Sequence, residues 1–180
     1  VIAGQFIVGG FEYLGESDWP SVVFGHSLVD KTGNLRDAGW QRKSWWSDTP
    51  MVYLMRKSEN AGAGDWISDW SPTDIDTYDI AQLQVFSNCD EVELFLNGKS
   101  LGAKERPADN ASPRTWTVTF QKGTIKAVGK NNGKMVAIQE LKTAGKPAKI
   151  MLTADKSAVG NSWDDVVYVR ATITDENGTT

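Results

Sequence analysis

Apolar and polar residues alternate with period 2 in several short stretches of this chain, and most of these stretches end in a recognisable turn. From Asn88 to Gly102 (NCDEVELFLNGKSLG), Val92, Leu94 and Leu96 alternate with Glu91, Glu93 and Phe95, then Asn97-Gly98 follows, and Leu101 resumes the pattern beyond it. Successive side chains of a strand point to opposite faces, so this alternation predicts a β-hairpin. Asn-Gly suits a type I′ turn, whose two central residues both need positive φ.

Similar stretches predict further strands at Met51 to Arg56, Ile80 to Ser87, Thr115 to Phe120, Thr124 to Lys130 and Lys134 to Leu141, with Asn131-Asn132-Gly133 as a second turn of the same kind. Short strands at this spacing point to an antiparallel β-sandwich of the immunoglobulin type over residues 51–145. The polar stretch from Ser58 to Asp79 interrupts them and is too rich in Gly and Asp for a core strand. Upstream, residues 1–50 hold turn signals and one candidate helix, Asp37 to Trp46, with Trp40 and the Lys43 stem on one face. Downstream, Ala148 to Ala154 and Val166 to Asp175 are strand-like. Residues 146–180 are too few for a sandwich, which takes about 100, and so predict the truncated start of a second one with an exposed edge.

Composition narrows the class. At 40% hydrophobic and 23% charged residues the chain has material for a core, and no apolar run is long enough to cross a membrane as a helix. A net charge of -4 with interspersed signs argues against a nucleic-acid partner. Cys89 is the single cysteine, so neither an internal disulfide nor a cysteine metal site is spelled out. The opening VIAGQFIVGG has neither a basic leader nor a cleavage pattern and reads as the interior of something longer.

The hairpin, with LQVFSN before it and TAGKPAKI after it, resembles the β-sandwich module that follows the catalytic barrel in many family 2 glycoside hydrolases of the β-galactosidase type. AGQFIVGGFEYLGE, then Trp19-Pro20, Gly25-His26-Ser27, Val29-Asp30, Gly33 and Trp45 to Val52, is similar to the last strand and helix of that family's (β/α)8 barrel. The resemblance implies a mainly β chain: an immunoglobulin-like sandwich between a barrel remnant and the start of a second sandwich. It implies retaining hydrolysis by two glutamates about 5 Å apart, both on earlier barrel strands, so no catalytic residue is expected here. It implies the catalytic barrel of the same parent chain as partner, a carbohydrate substrate, no cofactor, and a periplasmic or secreted location. Two departures bear on specificity. Val8 stands where these enzymes usually have Trp, and Phe11-Glu12-Tyr13 where Phe-Asp-Tyr is common. An aromatic ring there would pack on a sugar face, so galactoside, glucuronide and mannoside specificities all stay open.

Barrel enzymes carry their chemistry at the C-terminal ends of the strands, which makes Glu12, Tyr13 and Glu16 candidates for substrate contact in the intact enzyme; ordinary loop carboxylates are the alternative. His26, the only histidine, could donate to and accept from a sugar hydroxyl. Trp66 and Trp70, in a polar loop, are candidates for an exposed pair that stacks on sugar rings, or for plugs against the barrel. Trp40, Trp45, Trp46, Trp116 and Trp163 are expected to be buried. Asp65, Asp69, Asp74, Asp76 and Asp79 raise a calcium site, with solvated loop acids as the default and no metal site assigned. A stand-alone carbohydrate-binding or adhesion module, and a plain structural spacer, are the rival functions.

Overall fold

The computed structural model describes residues 6–17, 19, 22, 27–59 and 66–180. One helix, α1 (Asp37–Trp46), precedes β1 (Val52–Lys57), β2 (Trp66–Ile67), β3 (Ile80–Ser87), β4 (Glu91–Leu96), β5 (Lys99–Glu105), β6 (Arg114–Thr119), β7 (Thr124–Asn131), β8 (Lys134–Lys142), β9 (Lys149–Ala154) and β10 (Val169–Thr174). The helix has the predicted bounds, and Lys43 Nζ lies 4.8 Å from the centre of the Trp40 ring, as their shared face requires.

Two antiparallel sheets, β2-β1-β3-β6 and β5-β4-β7-β8, form an immunoglobulin-like sandwich. The chain crosses between them from β3 to β4, from β5 to β6 and from β6 to β7, in the Greek-key manner. Alternation decides what goes inside. In β4, Val92, Leu94 and Leu96 are buried while Glu91, Glu93 and Phe95 are half-buried on the other face. They meet Ile125 and Ala127 of β7, and Leu54, Ala81, Leu83, Val85 and Trp116 from the opposite sheet, in one hydrophobic core.

The turns follow the sequence chemistry. Asn97 and Gly98 have φ of +50° and +81°, and Asn132 and Gly133 have +50° and +73°, the signs a type I′ turn needs. The Asn97 side chain also accepts from Thr124 N at 2.8 Å and donates to Lys122 O at 3.0 Å, clamping the hairpin to the loop before β7. Leu94 faces two residues of β5 where the register shifts, and Gly102, at φ +96°, allows this bulge.

Among its described residues the Ser58 to Asp79 stretch carries no core strand, as expected, but a short edge strand, β2, which pairs with Arg56 and Lys57 of β1. It is held there by the buried Arg56 guanidinium, which donates to Asp69 at 2.6 Å and to Glu59 at 2.7 Å. Trp163, expected in the core, is 97% exposed because it sits in the long connection between β9 and β10 rather than on a strand. Trp46, expected to be buried, is 68% exposed at the last position of α1.

β9 and β10 form a separate two-stranded antiparallel sheet. Its cross-strand pairs segregate by face. Ile150/Ile173, Leu152/Ala171 and Ala154/Val169 make one wholly apolar side, while Lys149/Thr174, Met151/Thr172 and Thr153/Arg170 make the other. All six residues of the apolar side are exposed.

Candidate functional site

The described residues before α1 are held by backbone pairing rather than by long strands. Phe11 and Val29 form a parallel bridge, with Glu12 N donating to Val29 O at 2.8 Å and Val29 N donating to Gly10 O at 3.0 Å. Val29 also bridges Leu35, and Arg36 N donates to Leu28 O at 2.9 Å, which brings the start of α1 beside this pair.

This pairing fixes Glu12. Its nearly buried carboxylate forms an ion pair with the Arg36 guanidinium and accepts from Lys31 N at 3.0 Å. A buried carboxylate requires such partners. Glu12 therefore ties the Phe11 segment to the one that leads into the helix. Tyr13 and Glu16 are brought together: the exposed Tyr13 hydroxyl donates to the Glu16 carboxylate. That bond, with smaller contributions from burial and the Glu16 charge, raises the Tyr13 pKa above the usual phenol value. Glu16 adopts φ +47°, uncommon for a residue with a side chain. His26 lies outside the described residues.

The tryptophan pair separates. Trp66 is half-buried on edge strand β2. Trp70 is fully enclosed: its ring centre lies 4.9 Å from that of Phe120, and its Nε1 donates to Gln121 O at 3.0 Å. An enclosed ring presents no face to a sugar, so Trp70 packs the core, and the pairing with Trp66 expected from the loop's polarity does not occur. Burial of the large ring outweighs the polar sequence around it, and its one polar atom is satisfied. Of the loop acids, Asp69 pairs with Arg56 and Asp76 with Lys122, while Asp65 lies outside the described residues. Among the described residues no three His, Cys, Asp or Glu side chains group in a way that could hold a metal.

Sequence reasoning missed a polar hub next to Glu12. The Asp30 carboxylate accepts from Thr32 N at 2.8 Å, from the Thr32 hydroxyl at 2.7 Å and from Asn34 N at 2.9 Å, and these bonds lower its pKa to about 2. The Asn34 side chain in turn accepts from Arg170 Nη2 at 2.9 Å, linking the loop to β10 across 136 positions of sequence. The turn signal Thr32-Gly33-Asn34 was legible, but a partner that distant leaves no local trace.

The helix fastens this region to the sandwich. The Trp40 ring stacks on Tyr53 of β1, with centres 4.4 Å apart and planes 10° apart, and Trp45 Nε1 donates to Ala111 O at 3.0 Å. Beyond the helix, the Asn88 side chain donates to Ser47 O at 2.7 Å and to Thr49 O at 2.9 Å.

Comparison with known proteins bears on this arrangement. A family model described as a domain of unknown function (DUF4982) matches residues 79–137. Beta-galactosidase BoGH2A of Bacteroides ovatus is 35% identical over 180 residues, covering 98% of this chain and 19% of that protein. A putative beta-glucuronidase of Formosa agariphila is 30% identical over 183 residues, covering 98% of this chain and 16% of that protein. The crystal structure of a glycosyl hydrolase family 2 member from Bacteroides cellulosilyticus superposes with a TM-score of 0.75 at 31% identity, covering 86% of this chain and 22% of that one. The chain thus spans about a fifth of the length of the curated relatives it matches.

Proposed function

This chain belongs to the family 2 glycoside hydrolases as a partial segment of such a protein, and from that premise we propose that it is the non-catalytic part of a retaining β-glycosidase that buttresses the catalytic barrel. Residues 1–50 are the end of that barrel, residues 51–145 the immunoglobulin-like sandwich, and residues 146–180 the opening of a second sandwich. The reacting glutamates belong to the rest of the parent protein. Tyr13, Glu16 and His26 are the groups proposed to meet the sugar, and Glu12, paired with Arg36, holds the segment that carries Tyr13 and Glu16.

The observation that carries this role is the attachment of α1. The stacked Trp40 and Tyr53, the Trp45 bond to Ala111 O and the Asn88 bonds to residues 47 and 49 join α1 and the segment after it to the sandwich through side chains. A joint of stacked rings and satisfied polar groups suits holding a neighbour in place. The parallel bridge of Phe11 with Val29, where every sheet among the described residues is antiparallel, supports a barrel origin for the first segment. The wholly apolar side of the β9-β10 sheet supports an unfinished sandwich: further strands of the parent chain would cover it. The relatives' names span a β-galactosidase and a β-glucuronidase, which supports a β-glycoside of one of these two classes as the first substrate to test.

The test is an assay of this chain beside the longer product of its gene on nitrophenyl β-galactoside and β-glucuronide. The longer protein should cleave one of them and the chain alone neither. Turnover by the chain alone, or a longer product without glycosidase activity, overturns the reading.

A further inference from the structure

A groove of about 420 Å³ runs between the Asp30 loop and the terminal sheet, lined in part by Thr32, Asn34, Thr153, Asp155, Tyr168 and Arg170. Nothing in the buttressing role uses it. Its walls come from segments far apart in sequence, and ligand sites favour such junctions.

Thr32, Asn34, Asp155 and Arg170 are each hydrogen-bonded before any ligand arrives. Asp30 holds the loop through its four bonds from Thr32 and Asn34. The Asn34 amide donates to the Thr32 hydroxyl at 2.8 Å, which points its oxygen at Arg170 Nη2, 2.9 Å away. On the other side, Asp155 Oδ1 accepts from Tyr168 N at 2.9 Å, and Asp155 N donates to Tyr168 O at 3.1 Å. The Tyr168 backbone is thus clamped while the residue stays 68% exposed. With the backbone already held, a ligand packing on the ring does not have to order the segment that carries it.

We propose that this groove binds a saccharide, with the Tyr168 ring against one pyranose face and Arg170, Asp155 and Asn34 addressing the ring hydroxyls. A pyranose has an apolar C-H face and a rim of groups that both donate and accept. The groove offers an aromatic ring, a pure donor in Arg170, a pure acceptor in Asp155, and groups that do both in Asn34, Thr32 and Thr153. One arginine and one aspartate nearly cancel, so the groove lacks the concentrated positive charge that recognises phosphate. The ligand class rests on the glycoside hydrolase reading; the geometry does not.

The test titrates this 180-residue chain with methyl β-galactoside, methyl β-glucuronide and a β-1,4-linked galacto-oligosaccharide. Binding is read by calorimetry and by amide shifts in a ¹⁵N-labelled sample. At least one sugar should bind with a dissociation constant in the range of about 1 mM, shifting the amides of Tyr168, Arg170 and Asn34. A preference for the glucuronide would assign Arg170 to the carboxylate, and a preference for the galactosides to hydroxyls. Tyr168→Ala should weaken binding by about tenfold and Tyr168→Phe much less. Trp163→Ala, which removes an exposed ring outside the groove lining, should leave it unchanged. Retained thermal midpoints would show the variants folded, and the amide shifts of the unmodified chain give the answer if one is not. No binding up to about 10 mM, shifts located elsewhere, or unchanged affinity in folded Tyr168→Ala overturns the proposal. Because the readout is binding by this chain alone, its failure leaves the glycosidase assay standing, and the converse also holds.

Discussion

The Gln139 side chain accepts a hydrogen bond from Leu54 N at 2.6 Å, joining β8 of one sheet to β1 of the other. Its orientation is dictated by a third residue. Ser68 Oγ donates its single proton to Leu54 O at 2.9 Å and so must accept from Gln139 Nε2, also at 2.9 Å. Strand β2 pairs with β1 only at Arg56 and Lys57, so at Leu54 two side chains stand in for a neighbouring strand. Both backbone polar groups of an enclosed residue are thereby satisfied.

Gln139→Leu should therefore destabilise the sandwich although it adds apolar surface. Leu54 N is left without a partner in a dry environment, a loss of about 1–3 kcal/mol. The urea midpoint should fall with little change in the slope, since the same surface is exposed on unfolding. A midpoint equal to that of the parent chain would show that water or a shifted Ser68 replaces the amide.

Gly129 gives a second, reversible lesion. A Cβ added there would lie 2.6 Å from Cys89 Sγ and 2.9 Å from Val52 Cγ1, both in the buried interior. Overpacking of this kind costs about 1–3 kcal/mol. Gly129→Ala should lower the thermal midpoint, and adding Cys89→Ala should recover part of the loss because it removes the nearest atom. The double-mutant cycle checks this, and simple additivity of the two losses would refute it.

These two sites differ in how far the sequence announces them. The strands, α1 and both Asn-Gly turns were legible because each is specified within a few residues: period-2 burial for the strands, positive φ for Asn97, Gly98, Asn132 and Gly133. What was not legible depends on distant partners. Glu12 finds Arg36 24 positions on, Arg56 reaches across the insertion to Asp69 and so holds β2, and Trp70 is drawn into the core against Phe120 despite its polar neighbours. Trp163 failed in the opposite sense. Its place beside a strand-like stretch suggested a core residue, but it lies outside either strand of the terminal sheet and stays in solvent. Composition speaks to whether a residue would gain from burial, and only topology determines whether anything is there to bury it.

Acid should loosen two loops together. The Thr32 hydroxyl first, and then the backbone of Asn34, hold Asp30 at about 2; Ser112 and then Ala111 do the same for Asp109. A carboxylate whose pKa is lower folded than unfolded stabilises the fold fully above its unfolded value of about 4. That stabilisation is lost as pH falls through the folded value of about 2. Asp109 caps the loop whose Ala111 O accepts from Trp45, so its protonation also bears on the helix joint. Carboxyl carbon shifts followed from pH 5 to pH 1 by NMR should give midpoints near 2 at both sites. Midpoints at the usual aspartate value would mean that these bonds do not persist in solution.

Arg114 should be the least replaceable polar residue of the sandwich. It is almost fully buried, and its guanidinium donates to five carbonyls, those of Ser87 at 3.3 Å, Cys89 at 2.7 Å, Asp90 at 3.3 Å, Lys104 at 3.1 Å and Glu105 at 3.0 Å. These belong to the turn between β3 and β4 and to the end of β5, so one side chain fixes where the chain crosses between sheets. Burial pushes its pKa below the usual guanidinium value, with the Arg106 charge adding to the effect, yet guanidinium is basic enough to stay charged. Arg114→Met keeps the stem and strands the carbonyls, which should cost about 3 kcal/mol or more. Arg114→Lys should recover little, because one ammonium with three protons cannot span the fork. Comparable unfolding midpoints for the lysine variant and the parent chain would show that charge, rather than the five-carbonyl geometry, is what the site requires.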